Sequence, residues 1–136
     1  MKNSSEQIYK SALNAIKPIL ATKDVLEVHK KELLSVMIWK ITERYGKLNA
    51  EYVSVAARKI LNSDKTAQEK LKLLAHDHVY TRKYLIQKLM SQPKNYRNIL
   101  KEAVGCVVTR EEHKKLSLIK NAEGWERYRA ARVVYK

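Results

Sequence analysis

Leu74-Ala75-His76-Asp77-His78-Val79-Tyr80-Thr81-Arg82-Lys83-Tyr84-Leu85 is the stretch on which the reading of this chain turns. It gathers two histidines and a carboxylate into three residues. Here the helical periodicity of the surrounding sequence gives way to alternation, with His76, His78 and Tyr80 interleaved by Asp77 and Val79. Period two is the mark of a strand. It sets His76 and His78 on one face and Asp77 on the other. Chemically, an Asp-His step at the end of a short apolar run can hold a hard cation with the carboxylate and keep a neutral imidazole nearby for proton transfer.

Upstream, Ile8, Ala12, Ala15, Ile16 and Ile19 or Leu20 recur at intervals of three and four. They predict a helix over Glu6 to Ala21, with a kink or break at Pro18. Thr22 to Asp24 offers a cap for a helix from Val25 to Tyr45, which carries Leu26, Leu33, Met37, Ile41 and Tyr45 on one face and closes at Gly46. Val36, Ile38 and Trp39 widen its stripe, so it is expected to pack on more than one side at the centre of a helical lobe. Asn49 is read as the cap of a third helix, Ala50 to Leu61. After a linker from Asn62 to Thr66, a short helix over Ala67 to Leu73 leads into the opening stretch.

Downstream, Thr81 to Met90 returns to helix and ends at Gln92-Pro93, and Asn95 to Ala103 forms another short helix. Val104-Gly105-Cys106-Val107-Val108 is a β-branched strand candidate. Thr109-Arg110-Glu111-Glu112 is a capping box, so a helix starts at Arg110 and runs to about Lys120, with His113 in its first turns. Asn121 to Gly124 breaks it. In a last helix, Trp125 to Arg132, the residues Trp125 and Tyr128 are expected to pack inward, leaving Arg127, Arg129 and Arg132 for solvent or nucleic acid; Val133 to Tyr135 adds a short extended tail. The fold class is mainly α with a small β element. One compact domain, 1–136, is expected, divided into a helical lobe over 1–66 and a mixed region over 67–136.

Lys and Arg number 28 against 14 Asp and Glu, a net charge of +14. Such a field attracts polyanions. Nucleic acid is the first partner it suggests, DNA ahead of RNA, with an acidic protein or a membrane surface as the other anionic candidates. There is no apolar run of about 18 residues and no charged-then-apolar leader, so neither a membrane span nor a secretory signal is expected, and the location expected is the cytoplasm. Cys106 stands alone, which excludes an internal disulfide and any zinc site built from several thiolates. Its apolar neighbours predict a buried, inert thiol.

Strand with Asp77-His78, helical insertion, strand Gly105 to Val108, helix with His113: in this order the chain resembles the HNH, or His-Me finger, nucleases. Asp77-His78-Val79 looks like the start of their D-H-[IV]-x-P motif, with Thr81 where the family has proline, and Val107 to His113 looks like the second strand running into the metal-binding helix. The resemblance covers residues 74–118 and implies a ββα metal finger with a helical insertion. It implies a metal-dependent endonuclease that hydrolyses phosphodiester bonds, with His78 as general base and Asp77 and His113 as ligands of one divalent metal, Mg²⁺ first and Mn²⁺, Ni²⁺ or Zn²⁺ as alternatives. Arg82, Lys83 and Arg110 lie closest in sequence to clamp phosphate oxygens, and His76 and Asn98 (or Asn95) are the candidates to orient the base. Two other readings stay open. One is a non-catalytic, basic nucleic-acid-binding or regulatory protein on a degenerate finger; the other is a helical inhibitor that docks on an acidic protein.

Overall fold

The computed structural model describes residues 3–135. In chain order the elements are α1 (Ser5–Ala21), α2 (Glu27–Thr42), β1 (Tyr52–Val53), α3 (Val55–Leu61), α4 (Ala67–Leu73), β2 (Leu74–His78), α5 (Arg82–Ser91), α6 (Tyr96–Ile99), β3 (Gly105–Thr109), α7 (Arg110–Ser117) and α8 (Trp125–Ala131), with 3₁₀ turns on either side of α6. The fold is the expected mainly helical one with a small β element. Among the described residues no helix is long and apolar enough to cross a membrane. Contacts divide the chain into two compact units, Met1–Arg44 with Tyr80–Val104 and Tyr45–Val79 with Gly105–Lys136. The helical insertion between β2 and β3 belongs to the first unit.

In the first unit α1 opens on a capping box: the Ser4 hydroxyl accepts from the Gln7 N–H at 3.1 Å and the Ser4 N–H donates to Gln7 Oε1 at 2.7 Å. Pro18 does not end the helix, which runs on to Ala21 while the Pro18 carbonyl accepts the Thr22 N–H and hydroxyl. Near the C-terminal end a proline forfeits one backbone bond, and the turn beyond it closes on its own carbonyl. Ala12, Leu13 and Ile16 are buried with Leu34, Ile38 and Ile41 of α2, Leu85 and Leu89 of α5, and Tyr96, Ile99 and Leu100. Each fully buried aliphatic side chain contributes roughly 1.5–3 kcal/mol.

The face of α2 differs from the expected one. Leu34, Ile38 and Ile41 are buried, while Leu26 and Leu33 are exposed. Apolar residues surround this helix, so periodicity alone does not choose the buried side; the partners α1 and α5 do. It is also shorter at the N-terminus, starting at Glu27 with no side-chain cap.

In the second unit the sheet order is β1-β3-β2, with β1 parallel and β2 antiparallel to β3. The helix expected over Ala50 to Leu61 is replaced at its start by β1, and the cap is Ser54, not Asn49. Tyr52 pairs with Cys106 and Val53 with Val107, a partner more than fifty residues away that local pattern cannot reveal. In the antiparallel pair His76 faces Val107, Asp77 faces Cys106 and His78 faces Gly105. One side of the sheet buries Leu74, Val107 and Val53 against Ala57 of α3. Residues 75, 77, 106 and 108 take the other side.

The second strand and the capping box lie where expected. Thr109 and Glu112 exchange both bonds, at 2.9 and 3.1 Å, and α7 ends at Ser117. Glu112 also accepts the Ser54 hydroxyl at 2.6 Å, while the Ser54 oxygen caps α3 through the Ala57 N–H. One carboxylate thereby joins two helix starts. The tail beyond α8 is extended, with Tyr135 bridged to Ser54.

Candidate functional site

Asp77 lies within the edge strand β2 of the second unit's sheet, 3% exposed, on the same side as Cys106 of the central strand β3. A carboxylate placed in line with Ala75 and Val79 has no water to solvate it and needs a cation. Arg127 supplies it. Its Nη2 lies 3.2 Å from Asp77 Oδ1 and its Nη1 3.3 Å from Oδ2, and Nη1 also donates to the carbonyls of His78 and Val79 at 2.9 and 2.8 Å. The neighbouring Tyr128 hydroxyl donates to Oδ2 at 2.7 Å. Because Arg127 and Tyr128 are consecutive on α8, this one carboxylate fastens that helix to β2.

Burial accounts for the chemistry of the flanking groups. It pushes the Cys106 thiol up to about 12, and it raises Tyr128, with the Asp77 charge adding in the same direction. Both stay protonated at neutral pH, Tyr128 as a donor and Cys106 as the buried, inert thiol the sequence suggests. Trp125 packs edge-on to Tyr128 and Tyr52 and stacks on Tyr135 at 3.9 Å, so the aromatics of the last helix are structural.

The site residues read from the sequence come together in part. His113 Nε2 on α7 is 3.9 Å from Asp77 Oδ1, with its side chain 43% exposed. His78 follows Asp77 in β2, so strand alternation sends its ring to the opposite face, with His76. Asn98 is exposed in the first unit, its amide donating to Asn95. Thr81 is the cap of α5, its hydroxyl accepting the Tyr84 N–H at 3.3 Å. Arg82 donates to Ser35 at 3.2 Å and Lys83 is exposed; Arg129 pairs with Glu126, and Arg132 ends α8 in the left-handed region at φ 59°. Arg127 is the correction: at 4% exposed it is a buried structural cation and faces neither solvent nor nucleic acid. The signal that finds it is Asp77 itself, on the apolar side of a strand.

In this arrangement the residues do not fit a divalent metal. Both Asp77 oxygens are taken by Arg127 and Tyr128, and an ion at Oδ1 would meet the guanidinium at its shortest contact. Among the described residues no group of three His, Cys, Asp or Glu side chains gathers as a ligand set.

No family model, curated protein or solved structure matches this chain.

A second feature of the same unit is absent from the sequence reading except for Arg110. Three cations reach main-chain carbonyls around α4: Lys70 to Leu61 at 2.7 Å, Arg110 through Nε to Lys72, and Lys47 to Leu74 at 3.2 Å. The carbonyls that hold Arg110 and Lys47 are two residues apart. No residue of α4 is buried, and Lys72 is exposed among them. Lys47, Lys70 and Arg110 are positioned by neutral acceptors, so their positive charge remains available for an anion, whereas Arg129, Lys10 and Lys31 pair with a carboxylate on the preceding turn.

Proposed function

We propose that this is a non-catalytic nucleic-acid-binding protein, acting in the cytoplasm, that holds the phosphate backbone on the basic ridge of Lys47, Lys70, Lys72 and Arg110 along α4. The observation that carries the reading is the anchoring of three of these cations by main-chain carbonyls. Ordering a lysine or arginine without neutralising it lowers the side-chain entropy lost when a phosphate docks. The net charge of +14 favours encounter with a polyanion. The Asp77–Arg127–Tyr128 centre keeps β2, and the end of α4 that runs into it, in place.

Binding of a labelled 20-base-pair DNA duplex, followed by anisotropy, tests this. The triple variant Lys47→Gln, Lys72→Gln, Arg110→Gln is expected to bind at least tenfold more weakly than the native chain. Equal binding by the two would remove the ridge from the account.

A second reading, HNH-like hydrolysis with Mg²⁺ or Mn²⁺ at Asp77 and His113, has one observation in its favour, the 3.9 Å between those side chains. It requires the ion to displace Arg127 from Asp77 and the His78 ring to leave the opposite face of β2 for the Asp77 side. Metal-dependent cleavage of plasmid DNA or RNA that disappears in both His78→Ala and His113→Ala would establish it over the binding reading.

A further inference from the structure

α2 carries large apolar side chains on two sides, and one of the two is exposed. Leu34, Ile38 and Ile41 fill the core, yet Leu33, Val36 and Trp39 on the far side are 50%, 44% and 40% exposed, and Val28 is exposed beside them. A helix that is apolar on both sides is one that packs on both sides. The outer face also has an internal order. Around Val36, the positions three residues away are Leu33 and Trp39, both apolar. Those four residues away are Glu32 and Lys40, opposite in charge, and those seven away are His29 and Glu43. These offsets are the neighbours of Val36 on one helix face.

We propose that this face binds a second copy of the chain, α2 against α2 in antiparallel order about a two-fold axis at Val36. In that arrangement residue 36 minus k meets residue 36 plus k of the partner. Leu33 packs on the partner's Trp39 and Glu32 pairs with the partner's Lys40, each contact occurring twice. A parallel pairing would instead oppose Glu32 to Glu32 and Lys40 to Lys40. Charge complementarity therefore selects both the partner, a copy of itself, and the direction. Lys40 lies 4.5 Å over the ring of Trp39, which keeps its ammonium at the rim of the apolar patch. The small area of one helix face gives a weak, reversible dimer. Both copies carry +14, so association is expected at physiological salt, where the screening length is about 8 Å, and is opposed at low salt.

Sedimentation equilibrium of the full chain in about 0.15 M salt reads the constant directly. The native chain is expected to pass from monomer to dimer as its concentration rises. Glu32→Lys and Lys40→Glu are each expected to weaken the dimer about tenfold, and the double variant Glu32→Lys, Lys40→Glu to recover most of that loss. Circular dichroism of each variant reports folding, and these exposed positions leave the core untouched. Val36→Cys supplies an independent reading, since a short bis-maleimide should link two copies at the axis while buried Cys106 stays unreacted. A chain that is monomeric throughout, a double variant no better than the singles, or an unlinked Val36→Cys protein would each overturn the proposal.

Discussion

Arg127 has acceptors on every side: both oxygens of Asp77, the carbonyls of His78 and Val79, and that of Leu116 at 3.4 Å. An ion pair of this kind contributes little when compared with an apolar replacement of the whole pair, but removing one partner strands a buried charge. Arg127→Ala and Asp77→Ala are each expected to lower unfolding free energy by about 3–5 kcal/mol in urea titrations, with the double variant costing much less than their sum. Losses under 1 kcal/mol, or additive ones, would mean that the pair is not buried in solution. The thiol beside it gives a pH signature. Cys106 is raised from 9.0 to about 12, so the folded chain keeps a proton that the unfolded chain releases. That stability is complete below pH 9 and is lost progressively as pH rises towards 12, at a slope of up to about 1.4 kcal/mol per pH unit. Between pH 8 and pH 10 the native chain should lose more stability than Cys106→Ala; parallel profiles would refute the assignment.

At the scale of elements, Glu112 accepts from Thr109 N–H in the capping box of α7 and from Ser54, the cap of α3, so one substitution loosens two helix starts. Glu112→Ala is expected to cost about 1–3 kcal/mol in thermal or urea unfolding, and Glu112→Gln clearly less; an effect of Glu112→Ala below 0.5 kcal/mol would leave the link without weight. The capping box was legible because its signal lies within four residues. So were β2 and β3, through alternation and β-branched content. The Ser54 half of the link was not, since it spans 58 residues, and for the same reason β1, stabilised by a distant partner, reads locally as part of a helix. The buried side of α2 was hidden by a different cause: its sequence is apolar on both sides, and tertiary packing chooses between them. In the candidate site the meeting of Asp77 with His113 was legible from element order, while Arg127 looked solvent-facing because arginines on a short helix usually are.

Over the whole molecule the charge is spread through both units, so net charge predicts attraction to polyanions without locating a surface. What locates one is the grouping of three carbonyl-seated cations around α4, whereas Lys10, Lys31 and Arg129 pair with carboxylates on their own helices. The most direct measurement is the salt dependence of duplex DNA binding by the native chain and by the variant Lys47→Gln, Lys72→Gln, Arg110→Gln. Each phosphate contact contributes about −0.9 to the slope of log K against log salt. The native chain should bind with a steep negative slope, and the variant's slope should be shallower by about two to three. Binding indifferent to salt, or the same slope in both proteins, would contradict a phosphate-holding ridge along α4.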